Sequence, residues 1–377
     1  MKATLILLGA GLLVSSALKA DPPWYDDRKD LLWFQDDTGR LQPVKTDLDW
    51  SRRVDHIREN MEQVMGRLPD RSPLPLDMAT GETTPLRHYT RQHVTFAVEA
   101  GDRLPGWLLI PHGAGEKERC PAMICLPGSS APGKDTPAGL TASADRACAH
   151  ELAERGYVCL VLDYPLLHTA EYKTDPYALR YESASMKGIV NHRRGVDLLQ
   201  SLPYVDADAI GVIGHSLGGH NALFLAVFDT RVKAVVSSCG FNVFAKHNHG
   251  DVRAWSSNYY MPRIKTVYGD SPARIPFDFT EVLAALAPRP VFASGGRYVA
   301  QLAAIQSEPA IEAAWRRYAS RAPDLFRDAR LDVERADLGQ RGIYYRIRAG
   351  YFADRENAGR FCERIRQMGQ DCIVAAR

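Results

Sequence analysis

The sequence predicts an α/β unit, a mostly parallel sheet with helices on both faces, followed by a small α+β unit of order β-α-β-β-α-β. Three observations predict it. Between residues 85 and 294, short apolar runs alternate with amphipathic stretches of helical length, the pattern of a parallel sheet buried on both sides. Near Gly295-Gly296 the composition changes: lysines stop at Lys265 and arginines become dense. Beyond that point, period-two stretches bracket two helical patterns, which suits a small antiparallel sheet with two helices on one face.

The elements follow in order. Lys2, the apolar run Thr4 to Val14 and the small residues from Ser15 to Ala20 read as a signal peptide over 1–20, cut after Ala20. A periplasmic or secreted location is therefore expected, with no transmembrane segment, because no later stretch is long and apolar enough. Residues 21–84 read as a polar, Pro-rich N-terminal extension with one helical patch from Trp50 to Met65. "RQHVTFAVEA" and "LPGWLLIPHG" form an antiparallel pair. "PAMICLPG", "YVCLVLDYP", "AIGVIGHS", "VKAVVSSCGF" and "PRPVFAS" are strands. Helices are expected at Ala142–Arg155, Ser183–Ser201, Leu217–Phe228 and Phe279–Leu286. A domain boundary near Gly296 separates residues 85–296 from 297–377. In the second unit "YVAQLAAI", "ARLDVERADLG", "GIYYRIRAGYF" and "DCIVAA" are strands. Ser307 is expected to cap a helix carrying Ile311, Trp315, Tyr318 and Phe326 on one face. Asp354 is expected to cap a second, with Ala358, Phe361, Ile365 and Met368 inward and Gly369 at its end.

Composition bounds the function. The 377 residues are 45% hydrophobic and 24% charged, enough for a packed core. A net charge of +2 gives no general pull toward nucleic acid or an anionic membrane. The seven cysteines are scattered, without metal-ligand spacing, and neither a metal nor a cofactor is expected. Cys120, Cys125, Cys159 and Cys239 lie in strand patterns and read as small core residues. Cys362 and Cys372 are either a disulfide or two buried thiols.

The chemistry concentrates in "IGVIGHSLGGH", residues 210–220. A strand, then Gly-His-Ser-Leu-Gly, then a helix is the nucleophile elbow of α/β-hydrolases, with Ser216 as nucleophile. The backbone N–H of Leu217 supplies half of an oxyanion hole, and the loop near Gly128 and Ser129 the other half. In this fold the triad runs serine, acid, histidine along the chain. No histidine follows His249, so the downstream base is missing. His220 lies one turn beyond Ser216 and should point away from it. His247 and His249 are the remaining substitutes, and a metal pair between those two lacks further ligands. Asp163 and Asp270, conceivable acids, read as solvated loop carboxylates.

Residues 85–294 resemble secreted bacterial α/β-hydrolases of the dienelactone-hydrolase and acetyl-xylan-esterase-like group. "GDRLPGWLLIP", "ELAERGYVCLVLDYP", "IGHSLGGHNALF", "WSSNYYMPRI" and "FDFTEVLAALAPRPVF" carry the likeness. It implies hydrolysis of carboxylic esters, with an ester or acylated carbohydrate as substrate. In that group, loops carrying the acid and the histidine follow the strand like "PRPVF". Here the chain passes into "GGRYVAQLAAI" instead, leaving an incomplete hydrolase sheet with an unpaired edge.

Residues 297–377 resemble the SPOR domain, through "YVAQLAAIQSEPAIEAAWRRY", "GIYYRIRAGYFADRENAGRFCERIRQMGQDCIVA" and the element order. The resemblance implies binding to peptidoglycan glycan strands lacking stem peptides. Strand alternation places Ala300, Leu302, Tyr345 and Ile347 toward the helices and Gln301, Tyr344, Arg346 and Arg348 on the open face. An amide, an aromatic ring and guanidinium groups suit sugar hydroxyls and lactyl carboxylates. "RGIYYRI" also faintly echoes an RNA-recognition strand, but Ile343 stands where a stacking aromatic belongs, so no nucleic-acid partner is expected. Two functions remain: a glycan binder carrying an inactive esterase-type unit, or an active ester hydrolase targeted to the wall.

Overall fold

The computed structural model describes residues 22–376 apart from 71–73, 130–131, 143–145, 167–170, 295–297, 327–328 and 353–354. The expected signal peptide, the boundary at Gly296 and the cap at Asp354 lie outside the described residues.

The chain opens with a hairpin, β1 (Trp33–Gln35) and β2 (Leu41–Pro43), and helix α1 (Asp47–Met65). Then come β3 (Ala79–Pro85), β4 (Tyr89–Glu99), β5 (Asp102–Pro111) and β6 (Cys120–Leu126). Helix α2 (Cys148–Ala153), β7 (Val158–Leu162), α3 (Ala184–Ser201), β8 (Val205–His215), α4 (Leu217–Phe228) and β9 (Ala234–Ser238) follow. Short helices α5 (Arg263–Thr266) and α6 (Phe279–Ala284) precede β10 (Val291–Ser294). One eight-stranded sheet results, in the order β10-β9-β8-β6-β7-β5-β4-β3. The first five strands of that order are parallel, and β5, β4 and β3 are antiparallel.

Period-two alternation divides the core. Ile124, Leu126, Leu160 and Leu162 face a cluster fed by α1, α3 and α4, whereas Met123, Cys125, Cys159 and Val161 face α2. Every residue of α4 is buried, as a helix apolar on all sides must be.

Three expectations need correction. Residues 21–84, expected as an N-terminal extension, supply elements to the larger unit. Ile57, Met61, Val64 and Met65 of α1 join the main core, and β3 extends the sheet by pairing with β4. The exposed face of β3, with its threonines, hides an edge strand in a stretch that reads as loop. Of the helix expected at 142–155, α2 accounts for Cys148–Ala153, and Glu154 and Arg155 lie beyond its end. That expected at 279–286 ends at Ala284.

The sheet stops at β10, whose Phe292 is 64% exposed. The second unit comprises β11 (Tyr298–Ile305), α7 (Ile311–Arg321), α8 (Pro323–Phe326), β12 (Arg330–Asp337), β13 (Ile343–Phe352), α9 (Arg355–Gln367) and β14 (Ile373–Ala376). Its antiparallel sheet has the order β12-β13-β11-β14. Ala300, Leu302, Phe326, Ala349, Phe361 and Ile365 form a separate core, and a disulfide joins Cys362 to Cys372. Ser307 precedes a short 3-10 turn and makes no side-chain cap bond, Phe326 sits on α8 rather than on α7, and Met368 is 39% exposed.

Candidate functional site

Ser216 stands between β8 and α4 with φ 53° and ψ −114°, a conformation side chains rarely adopt. The glycines around it make that turn possible. A Cβ on Gly214 would lie 2.1 Å from the carbonyl oxygen of Gly218, and one on Gly218 would lie 2.2 Å from that of Leu126. The Ser216 N–H donates to the Ser238 carbonyl at 2.8 Å, and its own carbonyl accepts from Gly219 at 2.9 Å. Serine, strand end and helix start are thus locked together.

The loop after β6 passes beside the serine: a Cβ on Gly128 would be 3.8 Å from Ser216 Cβ. Ser129 follows, exposed, its hydroxyl within hydrogen-bonding reach of Tyr260, whose phenol is raised by burial. Leu217 is buried against Tyr164, Ala184, Leu166 and Tyr260. Gly128 thus lies beside Ser216, and Leu217 follows it as the first residue of α4.

No side-chain hydrogen bond reaches Ser216 Oγ among the described residues. His220 is 1% exposed, packed within 5.2 Å of the rings of Phe224, Trp255 and Tyr260. Burial, with a smaller contribution from nearby His192, pushes it down to about 3, so it is neutral. His192 on α3 is also fully buried and pushed down to about 3 by desolvation. His247 packs edge-on against Trp255, at 5.7 Å, on a short 3-10 turn. The side chain of His249 lies outside the described residues.

Asp163 is fully buried, not solvated. Its Oδ1 accepts the Lys134 backbone N–H at 3.0 Å and its Oδ2 lies 3.6 Å from Lys134 Nζ. Burial raises its carboxyl, and Lys134 opposes the rise. Lys134 also reaches Glu171 at 2.7 Å, and Glu171 reaches His93 Nε2 at 2.6 Å. This network pins the middle of the loop that carries Ser129. Nothing in the sequence marked Lys134, because its partners Asp163 and Glu171 come from segments far along the chain. Asp270 sits at φ 55° in the turn after α5, half-buried, with its Oδ1 covered.

On the second sheet, Gln301 lies opposite Arg348 in register. Arg348 is only 7% exposed; it pairs with Asp332 at 2.8 Å and Glu334 at 2.9 Å, while Arg346 shares Glu334 at 2.8 Å. Asp332 and Glu334 stand directly across from Arg348 and Arg346, which the sequence pattern of β12 alone did not disclose. Tyr344, Gln301 and Arg346 are the accessible members, each partly exposed.

Comparison with known proteins separates the two units. The family model described as "SPOR domain" matches residues 294–376. The smaller sheet, β11 to β14, falls within that match. A second family model, "BAAT / Acyl-CoA thioester hydrolase C terminal", matches residues 192–264, which include the elbow. Among solved structures, a glucuronoyl esterase from Solibacter usitatus is similar with TM-score 0.54 and 20% identity, over 73% of this chain and 80% of that one. A putative acetyl xylan esterase from Bacteroides fragilis gives 0.51 and 19%, over 71% and 79%. The larger unit has the α/β-hydrolase fold. An uncharacterised protein of Pseudomonas aeruginosa is 32% identical over 150 residues, which spans 40% of this chain and 37% of that relative. Among the described residues, no helix is long and apolar enough to cross a membrane.

Proposed function

We propose that this is an exported peptidoglycan-binding protein whose SPOR domain holds glycan strands, and whose hydrolase unit keeps an esterase architecture with an incomplete triad. The match of residues 294–376 to the SPOR family carries the binding half of this reading. The sheet ending at β10, with no histidine after His249, supports the other half. Because Arg348 and Arg346 are already paired with carboxylates, the face is better suited to sugar hydroxyls than to a free anion, through Gln301, Tyr344 and Arg346. Ser216 would be the nucleophile and Leu217 and Ser129 the oxyanion donors of any residual esterase chemistry.

One observation favours the second reading, an active ester hydrolase held at the wall. Backbone strain like that of Ser216 costs about 1–3 kcal/mol and tends to persist where function repays it. The acyl group would be an ester on a carbohydrate, and the base would come from His247 or His249. One experiment separates the readings. The full chain and Ser216→Ala are assayed for retention on amidase-treated sacculi and for p-nitrophenyl acetate turnover. Equal retention with negligible turnover by both supports the first reading. Saturable turnover lost in Ser216→Ala supports the second, and no retention of either protein refutes both.

A further inference from the structure

We propose that the hydrolase unit carries a second binding site, remote from Ser216, for a small monocarboxylate with an apolar body. A cleft of about 460 Å³ lies between the turn joining β4 to β5 and the central turns of α3, lined by Leu74, Val98, Glu99, Val190, Arg193 and Arg194 among others. That volume suits a small molecule. Helix α3 begins beside the elbow, where Ala184 packs in one cluster with Leu217. Arg193 stands nine residues along from Ala184, about 14 Å at the rise of an α-helix. Val190, Arg193, Arg194 and Asp197 have the i, i+3, i+4, i+7 spacing of one helix face, so α3 supplies a continuous wall.

The inner charges of the cleft are held by one another. Lys187, fully buried, reaches Glu99 and Asp102 at 2.6 Å each. Arg194 pairs with Asp197 at 2.6 Å and donates to the carbonyls of Leu74 and Ala97 at 2.8 and 3.2 Å. Arg231 takes Asp197 at 2.7 Å and Asp229 at 2.6 Å. Arg193, half-buried, is not held in this way. Its covered Nε lies 3.7 Å from Asp229 Oδ2, an oxygen that already accepts from Arg231. Among the described residues, the two terminal nitrogens of Arg193 make no hydrogen bond. Their fork matches the two oxygens of a carboxylate. Charge restricts the ligand further. Arg193, Arg194 and Arg231 balance Asp70, Glu99 and Asp197 in the lining, so one added negative charge meets Arg193 and a second meets carboxylates. Val98 and Val190, both buried, and the half-exposed Leu74 offer an apolar surface to the rest of the ligand. This inference is independent of whether Ser216 turns over a substrate.

The test titrates the full chain by calorimetry with isocaproate, with isocaproamide, which has the same body without the charge, and with inorganic phosphate. The expected result is saturable binding of isocaproate, with the amide and phosphate weaker by about tenfold or more. Arg193→Gln removes the charge and is expected to weaken isocaproate by about tenfold or more, at an unchanged thermal midpoint of the unliganded protein. Leu74→Glu sets a like charge on the exposed part of the apolar wall and is expected to weaken isocaproate as well. No saturable binding of isocaproate at millimolar concentration overturns the proposal. Equal affinity for the acid and the amide overturns it too, as does equal affinity of wild type and Arg193→Gln. Phosphate that binds as tightly as isocaproate overturns the assignment to a monocarboxylate.

Discussion

Ser216 adopts its strained backbone because Gly214 and Gly218 let β8, α4 and the end of β6 meet almost in backbone contact. That geometry was legible from Gly-x-Ser-x-Gly, since only small residues permit the turn. That no histidine follows His249 was legible too. A serine hydroxyl without a base is a poor nucleophile at neutral pH. Loss of a triad member leaves roughly 10³–10⁴-fold acceleration over water, from the oxyanion hole and binding. Steady-state assay with p-nitrophenyl acetate is accordingly expected to show weak turnover, unchanged by His247→Ala or His249→Ala. Turnover that is robust and abolished by either histidine substitution would make that histidine the base.

His192 and His220 make a second prediction at this scale. Both are buried and held near 3, against about 6.5 when unfolded. The unfolded state therefore binds protons first as pH falls. The stability that comes from burying neutral imidazoles is complete above about pH 6.5 and is lost toward pH 3, at about 1.4 kcal/mol per pH unit for each histidine. Urea midpoints measured from pH 7 to pH 4 should fall for wild type. They should fall less steeply for His192→Gln, which carries no titrating ring. Equal slopes would mean that other groups govern acid lability.

At the scale of elements, long apolar strands and capped helices were readable, and elements held by polar contacts were not. β8, α4 and α3 fall close to their expected limits because apolar period and cap agree: Ser183 accepts the Met186 N–H at 3.0 Å. By contrast, α1 was recognised as a helix but not as part of the main core. Its anchor is a charged pair, Arg53 to Glu281 on α6 at 2.6 Å, both essentially buried. Arg53 also lies 3.6 Å from the ring centroid of Tyr25. No pattern in one stretch reveals a partner 228 residues away. Removing one member of such a pair strands the other charge, so Arg53→Ala should cost about 3–5 kcal/mol in urea unfolding. Arg53→Met combined with Glu281→Leu should recover part of that loss, because both members of the pair go together, although Arg28, 4.0 Å from Glu281, loses that carboxylate. A single substitution costing under about 1 kcal/mol would show that α1 is held by its apolar face alone.

At the scale of the whole molecule, the two units differ in how their cores close. The hydrolase core draws on segments from Ile57 to Val291, and its sheet ends at an edge strand with Phe292 exposed. The smaller core draws only on residues from Ala300 to Val374 and is tied by its own disulfide. A fragment of residues 297–377 should therefore fold alone, with cooperative thermal unfolding and a native-like disulfide. Its glycan face depends on which side chains remain available. Arg348 is buried in ion pairs with Asp332 and Glu334, so Arg348→Ala takes that cation from Asp332, while Glu334 keeps Arg346, and is expected to destabilise the fragment as well as weaken binding. Arg346, Tyr344 and Gln301 are partly exposed, and Arg346→Ala or Gln301→Ala should lower retention on amidase-treated sacculi without shifting the thermal midpoint. The comparison that decides is wild type against the triple substitution Gln301→Ala, Tyr344→Ala and Arg346→Ala, with the midpoint measured on the same samples. Retention lost at an unchanged midpoint assigns the glycan to this face. Equal retention by both proteins moves the binding surface elsewhere on the domain.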